Sequence, residues 1–208
     1  MKKAVWLFFL PLLFAAAPAH AVYTQDRMHR FEAALRAASM IPIDGDIDNT
    51  VNLEGAVNYG VWESLALGVS AGWGSTSFET STGPAASRIQ GGDVTIVPVF
   101  FDFIFRSRDR SHPYSFYGIL GLGGLFTSLD EDGAVAASGL HAEAKDDFAL
   151  KLGFGLDWFA NENWIYNFEL SHVFTGANIL VTDATGNKID DRELDYWYIG
   201  GGVKYLFS

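Results

Sequence analysis

Three groups of residues in this sequence carry side chains that could do chemistry. The first is Ser171 followed by His172, a hydroxyl next to an imidazole, as a base-activated nucleophile requires. They fall in residues 166–175, where Tyr166, Phe168, Leu170 and Phe174 alternate with Asn167, Glu169, Ser171 and Thr175. Such alternation marks a β-strand, whose successive side chains point to opposite faces, so Ser171 and His172 are predicted to face apart. The same-face neighbours of His172, Leu170 and Phe174, carry no hydroxyl. No catalytic residue is assigned, and the chain is read as a non-enzyme without a cofactor.

The second group is Asp44, Asp46 and Asp48. A calcium loop begins with this spacing but also needs a glycine and a distal glutamate at fixed offsets, and neither is so placed here. No metal site is assigned. The third group is eight charges embedded among apolar and small residues: Glu32, Arg36, Glu54, Asp102, Lys151, Asp157, Glu169 and Lys204.

Strands must position these charges, and period-2 alternation runs through most of the chain. In residues 31–41, Phe31, Ala33, Leu35, Ala37 and Ile41 oppose Glu32 and Arg36; in 50–59, Val51, Leu53, Val57 and Tyr59 oppose Asn52, Glu54 and Asn58. Residues 64–73 set Leu65, Leu67, Val69 and Trp73 against Ser64, Ala66, Gly68, Ser70 and Gly72, and 93–105 set Val97, Val99, Phe101, Phe103 and Phe105 against Pro98, Phe100 and Asp102. The pattern repeats in 114–127 (Phe116, Leu120, Leu122 and Phe126 against Ser115, Gly121, Gly123 and Thr127) and in 148–158 (even-numbered apolar residues against Lys151, Gly153, Gly155 and Asp157). With 166–175 and a last run over 196–207, the prediction is eight strands, each long enough to cross a bilayer at a tilt. Links at 60–63, 106–113 and 160–163 are short; those at 74–92, 128–147 and 176–192 are long, and 42–49 is intermediate.

Composition agrees. The chain of 208 residues is 49% hydrophobic and 15% aromatic, with 22 Gly, no Cys and a formal net charge of −11. That excludes disorder, a disulfide scaffold and a zinc–thiolate site, and a pI near 4.7 argues against a nucleic-acid partner. Mean hydropathy is +0.13, yet beyond residue 21 no apolar run is long enough for a transmembrane helix. Residues 1–21 read as a signal peptide: Lys2 and Lys3, an apolar stretch from Ala4 to Phe14, and Ala19-His20-Ala21 as cleavage site. The mature domain is then 22–208 with a net charge of −13, and no cysteine stands there to carry a lipid anchor.

One face of the strands is continuously apolar; the other is Gly, Ala, Ser, Asn and scattered charge. A water-soluble barrel puts its large apolar groups inward, whereas small and polar residues inside with apolar ones outside suit lipid. Aromatics gather at strand ends, with Phe105, Tyr114, Trp158, Trp164 and Phe207 by the short links and Trp73, Phe126, Phe148 and Phe174 by the long ones, as two interfacial girdles would. The predicted fold is an all-β, eight-stranded antiparallel transmembrane β-barrel with short periplasmic turns and long extracellular loops.

The segment from Leu194 to Phe207 resembles the closing strand of small outer-membrane barrels, whose alternating aromatics are read by the barrel assembly machinery; here Tyr205 and Phe207 take that place. His112-Pro113-Tyr114 followed by Gly118, Gly121, Gly123 and Gly124, and Asn163-Trp164 leading to Phe168-Glu169, are similar to the OmpW-like and opacity-like outer-membrane β-barrel group. The resemblance spans the mature chain and departs at Ser208, where the group ends on the aromatic itself. It implies an outer-membrane location.

Inside such a barrel unpaired charge is costly, so Arg36 is predicted to pair with Glu54 or Glu169, and Lys204 with Asp102 or Asp157. The role expected is a surface-exposed structural or interaction protein in contact with lipid and lipopolysaccharide. The alternatives are a narrow channel or lateral path for small or hydrophobic solutes, and a lipid A-modifying enzyme with Ser171 and His172. Acidic loops carrying Asp130, Glu131, Asp132, Glu143, Asp146, Asp147, Asp183, Asp190, Asp191, Glu193 and Asp195 are read as solvated surface that could bind divalent cations weakly. The basic link from Arg106 to Arg110 is expected to meet phospholipid headgroups.

Overall fold

The computed structural model of the chain describes residues 27–81, 88–107 and 112–207. The signal peptide expected over 1–21, and Arg108 and Arg110, lie outside them. Eight strands close a barrel: β1 (Phe31–Pro42), β2 (Thr50–Trp62), β3 (Leu65–Ser81), β4 (Arg88–Arg106), β5 (Tyr114–Glu131), β7 (Asp147–Phe159), β8 (Trp164–Thr175) and β11 (Tyr196–Leu206). Each pairs antiparallel with its neighbours, and β1 seals the cylinder by pairing with both β2 and β11. Closure leaves no unpaired edge, which is what allows strands to sit in lipid.

Three connections hold more structure than the sequence reading expected. β3 and β4 extend across most of 74–92, because Ser75 through Ser81 continue to pair with β4 beyond Trp73, the last residue of the alternating run. Residues 128–147 contain a short helix, α1 (Gly133–Ala137), and β6 (Leu140–Lys145); 176–192 contain β9 (Asn178–Asp183) and most of β10 (Lys188–Glu193). These form a separate sheet in the order β10-β9-β6. Strands this short lack a strong period-2 signal, and β6 finds its partner β9 far along the chain.

Outward residues form the apolar band: Leu35, Leu53, Val69, Phe101, Leu122, Phe154 and Ile199 are exposed along its height. Exposed Trp73, Phe126, Phe148, Phe174 and Trp197 ring one end, and Phe105, Tyr114, Trp164 and Phe207 the other. Exposing so much contiguous apolar surface is stable only against hydrocarbon.

The interior is divided. At the long-loop end, Met40, Phe78, Ile96, Phe100, Leu125, Tyr196 and Tyr198 pack in one apolar cluster with Ile179 and Val181 of β9, Leu140 of β6 and Val135 of α1. The loop sheet is thus a lid whose buried face continues the barrel's core. The rest of the interior holds the buried charges together with a smaller apolar cluster of Ala66, Ile104, Tyr117 and Ile119.

Candidate functional site: an ion-paired lumen

All eight embedded charges point inward and are buried. Arg36 lies opposite Glu54 in the β1–β2 register and pairs with it, and it also pairs with Glu169 of β8. Lys204 donates to Asp157 Oδ1 at 2.8 Å. Asp102 is joined not to Lys204 but to Lys151, Nζ to Oδ1 at 3.0 Å, and Ser70 Oγ donates to Asp102 Oδ2 at 2.6 Å. Lys151 and Lys204 also lie over aromatic rings, Phe100 at 4.9 Å and Tyr117 at 4.5 Å.

Glycines on the intervening strands make these contacts possible. Asp102, Gly121 and Lys151 stand side by side on β4, β5 and β7; a Cβ on Gly121 would lie 2.7 Å from Asp102 Oδ1 and 3.0 Å from Lys151 Cβ. Between Arg36 and Glu169, β11 offers only Gly200 and Gly202. The small-residue face seen in the sequence is therefore the floor over which long side chains meet.

Neutral side chains join the pairs into a network. Tyr117 Oη donates to Glu169 Oε2 at 3.1 Å, Asn167 Nδ2 donates to Tyr117 Oη at 2.8 Å and to Asp157 Oδ1 at 2.9 Å, and Ser171 Oγ donates to Glu169 Oε1 at 3.3 Å. Two further bases complete it at the short-turn end. Arg27, ahead of β1, pairs with Glu32 and Asp157, and Arg106 NH2 donates to Glu32 Oε2 at 2.8 Å. The reading of Arg106 as a headgroup contact is corrected: it is the last residue of β4, on the inward parity of Asp102 and Ile104, and its side chain is buried against Glu32. That parity was visible in the sequence; Arg27, outside any strand, gave no such signal.

The eight embedded charges are five acids, Glu32, Glu54, Asp102, Asp157 and Glu169, against three bases. With Arg27 and Arg106 the bases among the described buried residues are Arg27, Arg36, Arg106, Lys151 and Lys204, and the lumen is neutral. The chain's negative charge is therefore carried outside the lumen, mostly on the long loops. There Arg192 ties the lid to the first loop, pairing with Asp44 (3.3 Å), Asp46 (2.7 Å) and Asp190 (2.8 Å). Among the described residues no cluster of three or more His, Asp or Glu is arranged to hold a metal ion.

Ser171 and His172 stand on opposite faces. Ser171 is in the lumen on Glu169, while His172 faces outward between Phe174 and Trp197, with ring centroids 4.2 and 4.7 Å away.

No family model and no curated protein sequence matches the chain. Solved structures do. OprG from Pseudomonas aeruginosa superposes with a TM-score of 0.73 at 15% identity, over 87% of this chain and 97% of that one. The chain has the fold of a small outer-membrane β-barrel. OmpW of E. coli (TM-score 0.55, 17% identity, 88% of this chain and 100% of that one) and Neisserial surface protein A (0.57, 12%, 86% and 97%) are further structures of this kind. At these identities the likeness concerns the fold alone.

Proposed function

We propose that this protein is a closed, non-catalytic outer-membrane barrel that acts at the cell surface through its acidic loops and lid. The observation that carries this reading is the burial of Arg36 (4%), Lys151 (1%) and Glu169 (3%) in mid-lumen, beneath an apolar cluster continuous with the lid. An aqueous path would have to pass these groups and would leave them exposed. Catalysis has no support from Ser171 and His172, which the wall separates. The partners proposed are outer-membrane lipid and lipopolysaccharide at the girdles, divalent cations bridging the loops to lipopolysaccharide phosphates, and the barrel assembly machinery at Tyr205 and Phe207. In planar bilayers the wild-type protein and Arg36→Ala are both expected to give no stepwise conductance. Discrete openings in the wild type would overturn the reading.

One observation favours a lateral path through the wall for small or hydrophobic solutes. The β3–β4 register runs to Ala71↔Val99 and resumes at Gly74↔Ile96, and the gap holds Pro98, which has no N–H to donate. Uptake of a fluorescent hydrophobic probe into vesicles that falls in Pro98→Ala, with wild-type folding, would support this path over the closed barrel.

A further inference from the structure

Arg27 precedes β1 in a turn, yet its side chain is buried, with 6% exposure. Its Nε and NH2 donate to Glu32 Oε1 and Oε2 at 2.5 and 2.7 Å, and NH1 donates to Asp157 Oδ2 at 2.8 Å. The guanidinium carbon lies 5.5 Å from the centroid of the Phe159 ring. A carboxylate met by the planar fork, a second carboxylate and an aromatic face are the elements by which proteins distinguish a guanidinium from other cations.

The pocket and its occupant have different supports. Glu32 is on β1, and Asp157 and Phe159 are on β7, all fixed by the barrel's ladders. Arg27 arrives on a short strap crossing Gly60: His29 N donates to Gly60 O at 2.7 Å, and Gly60 N donates to Arg30 O at 3.0 Å. The crossing is so close that a Cβ on Gly60 would lie 1.8 Å from the Arg27 carbonyl oxygen, and His29 adopts a left-handed φ of 59° to make the turn. Arg106 and Lys204 also contact these carboxylates, but through Glu32 Oε2 and Asp157 Oδ1; Glu32 Oε1 and Asp157 Oδ2 hold Arg27 alone among the described ion pairs.

We propose that Glu32, Asp157 and Phe159 form a guanidinium-binding site at the short-turn mouth of the barrel, filled in cis by Arg27, and that the site takes a small free guanidinium compound when the strap is displaced. Charge supports the assignment. The lumen is neutral only with Arg27 counted; without it one negative charge is left over, which a guanidinium cation restores and an uncharged molecule does not.

The test is chemical rescue in the full mature chain, refolded in lipid, with the midpoint of thermal unfolding read by gel mobility. Arg27→Ala is expected to unfold at a lower temperature than wild type. Ethylguanidinium should raise that midpoint saturably, at concentrations on the order of 1–10 mM as for a weak single site. Ethylammonium or sodium chloride at equal ionic strength should raise it less, and the wild type, its site occupied, should not respond. Gly60→Ala keeps Arg27 but drives the strap off its crossing, and should gain the same response if Arg27→Ala does not refold. Glu32→Gln added to Arg27→Ala should abolish rescue. Equal responses of the variant to ethylguanidinium and ethylammonium, or of variant and wild type to ethylguanidinium, would overturn the site. The readout is stability rather than conductance, so this result and the closed-lumen reading fail independently.

Discussion

Tyr117 and Glu169 meet over a glycine: Tyr117 Oη reaches Glu169 Oε2 at 3.1 Å because Gly155, on the strand between them, has no side chain. A Cβ there would lie 2.3 Å from Tyr117 Oη and 2.4 Å from the Phe168 carbonyl oxygen. The first contact is a ring locked in the network and the second is backbone, so neither yields easily. Gly155→Ala is expected to cost about 1–3 kcal/mol, the range for forcing extra volume into a packed interior. Gly121→Ala should cost less, because its tightest contact, at 2.7 Å, is the carboxylate end of the Asp102 side chain and its next contacts, with Lys151, are no closer than 3.0 Å. Urea unfolding in micelles, read by tryptophan fluorescence, ranks the two; equal midpoints would contradict the argument.

Arg36 is the only base contacting both Glu54 and Glu169 among the ion pairs described, so its loss strands two buried carboxylates. Arg36→Ala is expected to destabilise the barrel by about 3–5 kcal/mol, mostly as the cost of uncompensated buried charge. Adding Glu54→Gln and Glu169→Gln removes that charge and should recover much of the loss. If the triple variant is no more stable than Arg36→Ala, the network holds by shape rather than by charge.

The barrel was legible in the sequence because alternation reports which face each residue occupies, and in a membrane barrel that contrast is present in every strand. Inward placement of Glu32, Arg36 and Lys204 followed from parity alone. Arg36 with Glu54 and Glu169, and Lys204 with Asp157, are among the expected pairs, but the choice between alternatives depends on the stagger between strands: Asp102 and Lys204 share a face, yet Asp102 is set beside Lys151 across Gly121. Arg27 was invisible for a different reason. It lies in no strand, and only the turn at His29 brings it into the lumen. The lid does not show in the sequence because β6, β9 and β10 hold 6 residues each, and Leu140 of β6 and Ile179 and Val181 of β9 find a core only against the barrel.

Arg192 is the tie between lid and first loop, and it is partly exposed, at 19%. Solvent screens such pairs, so Arg192→Ala should lower global stability by no more than about 1 kcal/mol. Its local effect should be larger, because Asp44, Asp46 and Asp190 would repel one another without it. Hydrogen exchange is expected to speed up in β10 and residues 43–49 while β1 and β11 keep wild-type protection. Uniform acceleration across the barrel would mean that the lid is not a separable unit.

The β9–β10 turn should open only in strong acid. Asp183 accepts hydrogen bonds from Thr185 Oγ1 (2.7 Å), Asn187 Nδ2 (3.0 Å) and the backbone N–H groups of Thr185 (2.9 Å) and Asn187 (2.8 Å). These bonds, led by the Thr185 hydroxyl, favour the ionised form and lower the Asp183 pKa from 3.8 to about 2. A folded-state value below the unfolded one means that the turn gains stability from ionised Asp183 in full above pH 3.8, and loses it as the pH falls through about 2. The side-chain carboxyl resonance of Asp183 in the lipid-reconstituted protein should therefore titrate with a midpoint near 2, and Asn187 N–H should keep its protection at pH 3. Thr185→Ala removes the leading donor and should move the midpoint back toward 3.8. A wild-type midpoint already near 3.8 would show that the turn does not hold its carboxylate in this way.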